Sequence, residues 1–408
     1  MEGPDRPVPF ISRVRLKNYK SIAECDVRLG PLTVLIGPNG TGKSNFLDAL
    51  AFLARALATT PYEAVEERGG LGEILRRVPE PTDSFSIYVE AALSLGSQVE
   101  PRTTATYGFE LGLARRRGVR SFEVIKEWAE VPLGNLPQSF QVEHGAVSHP
   151  YQVNAVPEIQ PDRLYLPVAG AARAFGPLFI GLSGMRFYNF VLGALRQPAP
   201  PSNGALLAPD GGHLADVLDA LAVVQPDLKD RFDAYLSAVA PGIDSIDSYL
   251  AGGYATIAAR SHGGSQDYEI EFGPGAISDG TIRAAAVLAA LFQLAAVDGR
   301  IPLVGIEEPE IALHPAAAGV LFDALTEASE HVQVVATSQS PDLLDRDDLD
   351  VSSVRAVSME HGLTVIGDVD EASQQIVRDK LYTLGELMRS NQISPHQMSD
   401  GNDSSSGD

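Results

Sequence analysis

The segment GPNGTGKS, residues 37–44, is the feature that most constrains the fold of this 408-residue chain. It fits the pattern GxxxxGK[ST] and lies between the apolar run LTVLI and the segment NFLDALAFLARAL, whose apolar residues recur at helical spacing. A strand that turns through glycines into a helix binds phosphate well, because backbone N–H groups and the positive helix end converge on the anion. We therefore predict a nucleotide-binding unit here rather than an ordinary glycine-rich turn.

The chemistry of such a loop gives each residue type a role. Glycines keep Cβ atoms away from the phosphate oxygens, Lys43 should reach the β- and γ-phosphates, and the Ser44 hydroxyl should ligate Mg²⁺. ATP and Mg²⁺ are the predicted cofactors. The predicted nucleotide-binding residues are Gly37, Pro38, Asn39, Gly40, Thr41, Gly42, Lys43, Ser44 and Asn45.

Two adjacent glutamates end the apolar run in IPLVGIEEPEIALHP. A phosphate-loop site needs an acid to hold Mg²⁺ and a base to orient the attacking water. Since adjacent residues on a strand point to opposite faces, we assign Glu307 to the metal and Glu308 to the water. The alternative for both is a solvated strand end. Glu310 and His314 follow, and a lone histidine such as His314 is more often structural than functional.

The segment VVATSQSPDLLD, residues 334–345, ends a second apolar run in polar residues before a proline. It is either a turn or part of a binding site. If its strand lies beside that of Glu307, the tip that carries Gln339 faces the γ-phosphate.

A third segment, GAISDGTIRAAAVLAAL, starts a long apolar helix at Ser278. Ser278 is a good N-cap and Asp279 suits the positive helix end, which is a sufficient structural account. The same helix end is also an anion site. Because the chain already has a phosphate loop, we expect Ser278 and Gly280 to contact a γ-phosphate bound to another subunit.

Composition restricts the class of protein. The net charge of −22 argues against a simple nucleic-acid binder, although residues 1–60 carry a local positive excess and RRRGVR, residues 115–120, is either a solvated turn or a nucleic-acid patch. No apolar run approaches 18 residues and no signal peptide is evident, so no membrane association is expected. The single cysteine, Cys25, fits a cytoplasmic location.

These segments, in this order, resemble the ABC-type ATPases of the SMC/RecF class, and more closely the stand-alone AAA-family ATPases of the OLD/RecF-like type. LKNYKSI with LTVLIGPNGTGKSNFLDAL looks like their N-terminal lobe and Walker A motif, and ISDGTIRAAAVLAAL like their signature motif. IEEPEIALHP looks like Walker B with its catalytic glutamate, and TSQSPDLLD like the switch segment. The resemblance covers most of residues 10–393 and is loose from about 90 to 190.

The resemblance implies an α/β fold of the P-loop ABC/SMC type: a two-lobed mixed sheet flanked by helices, with a β-rich and then helical insertion and no long coiled coil. The predicted boundaries are an N-terminal lobe with Walker A over 1–110, an insertion over 111–265, a C-terminal lobe with the other motifs over 266–393, and a disordered acidic tail over 394–408.

The resemblance also implies function. Such ATPases close head to tail on ATP, as a homodimer or higher homo-oligomer in which Ser278 and Gly280 reach the partner's γ-phosphate. Glu308 and Gln339 are the expected catalytic residues, and the expected partners are DNA or a separately encoded nuclease or other effector, in DNA repair or phage defence. Two positions depart from the family: Glu307 stands where Asp is usual, and Gln339 stands where His is usual. Glutamine can form hydrogen bonds but cannot take up a proton.

The sequence leaves three candidate functions to be tested. The leading one is a Mg²⁺-dependent ATPase switch. The second is a nucleotide-gated interaction scaffold with little hydrolysis, which the charge and Gln339 favour. The third, a P-loop kinase for a small molecule, is disfavoured by the signature-like ISDGT and the paired glutamates.

Overall fold

The computed structural model describes residues 8–93, 103–114, 122–133, 136–148, 159–202, 206–262 and 269–396. The basic run at 115–120 and residues 397–408 of the predicted tail lie outside these ranges. The strands are β1 Ile11–Tyr19, β2 Ile22–Arg28, β3 Leu32–Ile36, β4 Ser84–Leu93, β5 Thr103–Leu113, β6 Phe122–Leu133, β7 Leu136–Glu143, β8 Ala146–Ser148, β9 Arg186–Tyr188, β10 Ser245–Ala251, β11 Tyr254–His262, β12 Glu269–Phe272, β13 Leu303–Glu307, β14 Gln333–Ser338, β15 Val354–Glu360, β16 Leu363–Val369 and β17 Pro395–His396.

The α-helices are α1 Lys43–Ala58, α2 Pro61–Glu66, α3 Leu71–Ile74, α4 Leu166–Ala169, α5 Gly176–Gly184, α6 Leu192–Arg196, α7 Leu214–Val224, α8 Pro226–Val239, α9 Asp279–Phe292, α10 Leu294–Val297, α11 Ala318–Ala328, α12 Glu371–Arg378 and α13 Leu384–Arg389. Short 3₁₀ helices cover Pro315–Ala317, Pro341–Leu344 and Val351–Ser353. Within the described residues the longest helix is α1, with 16 residues.

The central sheet has the strand order β17-β16-β15-β3-β14-β13-β9. Strands β15, β3, β14, β13 and β9 are parallel, and β16 and β17 are antiparallel additions. The predicted strands LTVLI, IPLVGI and VQVVAT are therefore confirmed as neighbours in one parallel sheet. The register places Glu307 opposite Thr337 and Ser338 opposite Ile36, so three motifs meet at one edge.

A second, wholly antiparallel sheet has the order β2-β1-β4-β5-β6-β7-β8, and β10-β11-β12 form a smaller antiparallel sheet. The boundary predicted at 110/111 falls inside β5, and that at 265/266 separates the paired strands β11 and β12. The antiparallel sheet thus continues the N-terminal lobe to residue 148. The predicted disorder is wrong for Pro395–His396, which pair with β16.

The two faces of the central sheet belong to different cores. Leu35, Val335 and Leu303 pack with α1, α5 and the antiparallel sheet, whereas their sequence neighbours on the same strands pack with α7, α8, α9 and α11. Burial on both faces explains why these strands read as continuous apolar runs. The motifs of the site meet at the carboxyl edge of this sheet.

Three local predictions need correction. The apolar segment TIRAAAVLAALFQLAAV, residues 281–297, predicts one long helix, but the helix breaks at Gln293, where the backbone is extended (ψ 145), giving α9 and α10. The segment HLADVLDALAVV predicts a helix with Asp210 or a neighbouring glycine as its N-cap, but the N-cap of α7 is His213. Strand β9 lies in a region expected to be helical, because three residues are too few to show a period of two.

The segment Asp279–Val297 is long and apolar enough to cross a membrane by composition alone. However, 78% of its most apolar window is buried inside the protein, where α9 packs against α8 and α11. Its apolar surface is therefore used by the core.

Candidate functional site

The phosphate loop connects β3 to α1 at the carboxyl edge of the central sheet. Gly42 caps α1 with a left-handed backbone (φ 101), and a Cβ there would collide with the side chains of Thr364 and Ser21. A Cβ on Gly37 would collide with the Val357 carbonyl. Glycine is thus required at both positions by close approach of neighbouring chain, and strands β15 and β16 fix the shape of the loop.

A chain of hydrogen bonds holds the start of α1 in place. The Asn45 Nδ2 atom donates to Ser21 Oγ (2.6 Å), which is hydrogen-bonded to Thr364 Oγ1 (2.6 Å). Thr364 Oγ1 donates to the Thr41 carbonyl (2.8 Å). Asn45, predicted to bind nucleotide, is placed by the structure in this supporting network.

Lys43 lies over its own loop. Its Nζ donates to the carbonyls of Gly37 (2.7 Å) and Pro38 (2.9 Å), and only 4% of the residue is exposed. Burial lowers the pKa of this ammonium, and the nearby carboxylates of Glu308 and Glu310 oppose that shift. A buried cation held by two neutral carbonyls is suited to exchange them for phosphate oxygens, which carry charge.

Glu307 is the last residue of β13 and meets the start of α1. Burial raises the pKa of Glu307, and the nearby Ser44 side chain opposes that shift. A hydroxyl and a carboxylate side by side provide the hard oxygen ligands that Mg²⁺ prefers, together with phosphate oxygens. The residues present therefore fit the predicted metal.

Asn189 was missed by sequence reasoning. It follows β9, the edge strand next to β13, and its Nδ2 lies 3.5 Å from Glu307 Oε2. Asn189 and Glu307 line a cleft of about 350 Å³ that also includes Asp48 of α1. The sequence RFYNF offers one signal, a polar residue directly after two aromatic residues. This signal is too weak to identify a site residue without knowledge of the strand order.

The structure brings Glu308 and Gln339 together. The Gln339 Nε2 atom donates to Glu308 Oε2 (2.9 Å). The premise that both glutamates lie on the strand is wrong, since β13 ends at Glu307 and Glu308 has a left-handed backbone (φ 44). Such a conformation is uncommon for a non-glycine residue and costs about 1 kcal/mol or more. It directs the two carboxylates to different partners, Ser44 and Gln339.

Ser278 and Gly280 lie outside these contacts. Ser278 is exposed and caps α9, accepting from the Thr281 backbone N–H (3.1 Å). Gly280 packs against the Ala312 carbonyl, close enough that a Cβ would collide with it. The structure thus confirms the predicted N-cap and places the signature turn beside the segment after Glu308. His314 is exposed and caps a 3₁₀ helix, with Nδ1 accepting from the Ala316 N–H (3.2 Å).

A cleft of about 580 Å³ opens beside the phosphate loop. Its lining includes Asn39 and Gln339 on one side and Met388 and Ile393 from the C-terminal segment on the other. This volume is in the range of small-molecule sites, and the late segment LYTLGELMRSNQI contributes to it.

Four of the eight cations in the first 60 residues are paired with carboxylates. Arg13 and Arg15 contact Asp26, Lys20 contacts Asp48 (2.6 Å), and Arg55 contacts a glutamate of the same lobe. These four cations are therefore engaged within the protein.

With this geometry established, the chain can be compared with known proteins. A family model described as "AAA domain, putative AbiEii toxin, Type IV TA system" matches residues 32–345. The chain belongs to this family. It is a member of the ABC/SMC/RecF/OLD-like class of P-loop ATPases, as the four motifs predicted.

Two curated relatives resemble short parts of this AAA-domain protein. The DNA replication and repair protein RecF of Corynebacterium jeikeium is 48% identical over 46 residues, 11% of each chain. The OLD nuclease of Thermus scotoductus is 42% identical over 41 residues, 10% of this chain and 8% of that protein. The chain thus matches about a tenth of the length of either relative.

Solved structures show the fold. An SMC head bound to the C-terminal winged-helix domain of ScpA superposes with a TM-score of 0.56 at 15% identity, covering 90% of this chain and 100% of that one. An SMC head from Pyrococcus furiosus, bound to the C-terminal domain of ScpA, gives 0.53 at 12% identity over 92% and 100%. The predicted ABC/SMC-type P-loop fold is confirmed.

Proposed function

We propose that this AAA-domain protein hydrolyses ATP with Mg²⁺ and uses the cycle as a switch. The observation that supports the proposal most is the meeting of two pairs, Ser44 with Glu307 and Glu308 with Gln339, at the sheet edge that carries the phosphate loop. One pair suits a metal and the other suits a water molecule, which are the two requirements of P-loop hydrolysis.

Each side chain has a separate task in the proposed reaction. Lys43 exchanges its carbonyl partners for β- and γ-phosphate oxygens. Glu308 orients a water molecule and accepts its proton as the water oxygen attacks the γ-phosphorus, and the bond to the bridging oxygen of ADP breaks. Gln339 holds Glu308 and the attacking water in place. Glu307 and Ser44 would hold Mg²⁺, which would neutralise charge on the phosphates.

We further propose that two copies close head to tail around two nucleotides. Ser278 is exposed at the positive end of a 14-residue helix, a position that suits an anion. Ser278 and Gly280 then contact the γ-phosphate held by the partner's Lys43 loop. A homodimer formed only with ATP is the expected state.

The proposed setting is cytoplasmic, in DNA repair or phage defence, with DNA or a separately encoded nuclease as the partner. The names of the RecF and OLD relatives, which match short parts of this chain, support this setting. The internal pairing of Arg13, Arg15 and Lys20 and the net charge of −22 favour a protein partner over free duplex DNA.

Two variants test the proposal. Lys43→Ala should abolish ATP binding, because it removes the only loop side chain that carries positive charge. Glu308→Gln should keep ATP affinity and lower turnover by roughly 100-fold or more, since the amide cannot accept the proton. Binding is measured with a fluorescent ATP analogue, turnover by phosphate release, and association by light scattering with and without ATP. Full turnover in Glu308→Gln would refute the assignment of the base.

The scaffold with little hydrolysis is the second candidate, and Gln339 favours it because an amide cannot exchange a proton with Glu308. Tight ATP binding with negligible turnover in the wild type, unchanged in Gln339→His, would establish the scaffold instead. Turnover measured with and without duplex DNA and with and without a co-purified protein separates the partner classes.

A further inference from the structure

Glu310 is a buried carboxylate for which the proposed reaction has no task. It follows Glu308 by two residues, and only 9% of it is exposed. Its Oε1 atom accepts from Ser338 Oγ (2.5 Å) and from the Gln339 backbone N–H (3.3 Å). Its Oε2 atom is buried and has no hydrogen-bond partner among the described residues.

These bonds fix the turn that carries Gln339. Ser338 is the last residue of β14, is fully buried, and accepts from the Ser340 backbone N–H (3.0 Å) through the same hydroxyl that donates to Glu310. The turn over residues 338–340 is therefore tied to Glu310 by one side-chain donor and one backbone donor. Few other geometries satisfy all three groups at once.

Gln339 is consequently held at both ends by the segment after β13. Glu310 accepts its backbone N–H, and Glu308 accepts its side-chain N–H. The left-handed backbone at Glu308 brings the two carboxylates to the same residue of the neighbouring strand. A shift of this turn would separate the Gln339 amide from Glu308 without moving the phosphate loop.

The electrostatic surroundings of Glu310 fit a positioning role. Burial raises the pKa of its carboxyl, the bonds from Ser338 and from the Gln339 backbone oppose this, and the charge of Glu308 adds to it. Both bonds that Glu310 accepts come from the turn over residues 338–340, so the contacts of its carboxyl hold that turn in place.

We infer that Glu310 is a positioning residue that sets the turn over residues 338–340, so that Gln339 meets Glu308 and hydrolysis proceeds. This inference rests on the proposed ATPase function. Glu310 should therefore affect turnover but not nucleotide affinity, and it should act on turnover by positioning Gln339.

The experiment uses the full chain and a set of matched variants. Glu310→Ala removes the acceptor, Glu310→Gln keeps a neutral acceptor of the same shape, and Gln339→Ala removes the residue being positioned. We expect Glu310→Ala to lower kcat about tenfold or more with the Kd for ATP changed less than threefold. Glu310→Gln should restore most of the lost turnover. A loss as large in Glu310→Gln as in Glu310→Ala would overturn the inference.

The double variant Glu310→Ala/Gln339→Ala decides whether the effect passes through Gln339. We expect it to be about as slow as Gln339→Ala alone, because a missing residue cannot be mispositioned. Fully multiplicative losses would overturn the inference. A merely structural role would also move ATP affinity and the melting temperature of every Glu310 variant together.

Hydrogen exchange separates this inference from the proposed function. In Glu310→Ala the backbone amides of residues 338–340 should exchange about tenfold faster than in the wild type, while Glu310→Gln should match the wild type. Exchange that is unchanged in Glu310→Ala would overturn the positioning role. Absence of turnover in the wild type would instead refute the proposed hydrolysis, and the exchange result would still decide the role of Glu310.

Discussion

Gln333 joins the two lobes, and its replacement gives the sharpest stability prediction. It is 4% exposed at the start of β14, and its Oε1 atom accepts from the Ile11 N–H (2.7 Å). Its Nε2 atom donates to the carbonyls of Ile11 (2.8 Å) and Gly30 (2.9 Å). One amide thus binds both the first strand of the antiparallel sheet and the residue that leads into β3. It fixes β3 and β14 at the end opposite the site.

Gln333→Leu keeps a similar volume and removes all three hydrogen bonds. Each bond contributes about 1 kcal/mol net, and buried backbone groups left without a partner add to the cost. We therefore expect the free energy of unfolding to fall by roughly 3 to 5 kcal/mol, a large share of the 5–15 kcal/mol typical of a domain. Gln333→Glu has nearly the same shape but turns an oxygen toward two carbonyls, so its loss should be smaller at acid pH.

Urea denaturation tests this, followed by circular dichroism and by the fluorescence of Trp128, the single tryptophan, which lies in β6 of the antiparallel sheet. Gln375→Leu is the matched control, because Gln375 is exposed and bonds only within its helix region to Asp379 (3.0 Å). That change should stay within about 0.5 kcal/mol. A loss below about 1 kcal/mol in Gln333→Leu would refute the view that this amide joins the lobes.

Two further predictions concern other residues. Asn189→Ala should lower turnover about tenfold with little change in the melting temperature, because it removes an exposed polar contact to Glu307. Turnover is measured by phosphate release, and Asn189→Gln should recover part of the lost turnover. Burial raises the pKa of Glu127 from 4.5 to about 7, against hydrogen bonds from Tyr165, Leu166 and Tyr107. Since the folded state binds this proton more tightly, the contribution of Glu127 to stability should be fully present below pH 4.5 and fall by roughly 3 kcal/mol as the pH rises to 7. Glu127→Gln should remove this contribution, so the difference in unfolding free energy between variant and wild type in urea titrations should change with pH; a difference that is the same at every pH would contradict the assignment.

The sequence was informative wherever function depends on contiguous residues. The phosphate loop, its strand and its helix are adjacent in the chain, so the pattern, the glycines and the amphipathic spacing all appear in one window. The apolar runs before Glu307 and Gln339 likewise predicted parallel strands, because strands that are buried on both faces are mostly apolar. Ser278 was recognisable as an N-cap for the same local reason.

The sequence did not predict the contacts that depend on strand order. Nothing local indicates that β9, only three residues long, would be the edge strand beside β13 and deliver Asn189 to Glu307. Gln333 is equally hidden, since its partners Ile11 and Gly30 are more than 300 residues away. The left-handed turn at Glu308 was missed because a glutamate gives no signal for it, and only the partners on β14 make that conformation necessary.

The pair formed by Glu308 and Gln339 sets a physical condition on catalysis. A carboxylate offers about four lone-pair sites, and the Gln339 amide occupies one on Oε2, so the second oxygen remains available to an attacking water. The same N–H donor also fixes the orientation of the carboxylate. Because glutamine carries no titratable proton, this restraint is the same at every pH near neutrality. Turnover should then depend on the distance by which the bound γ-phosphate draws the Gln339 amide away from Glu308. The turn fixed by Glu310 determines that distance.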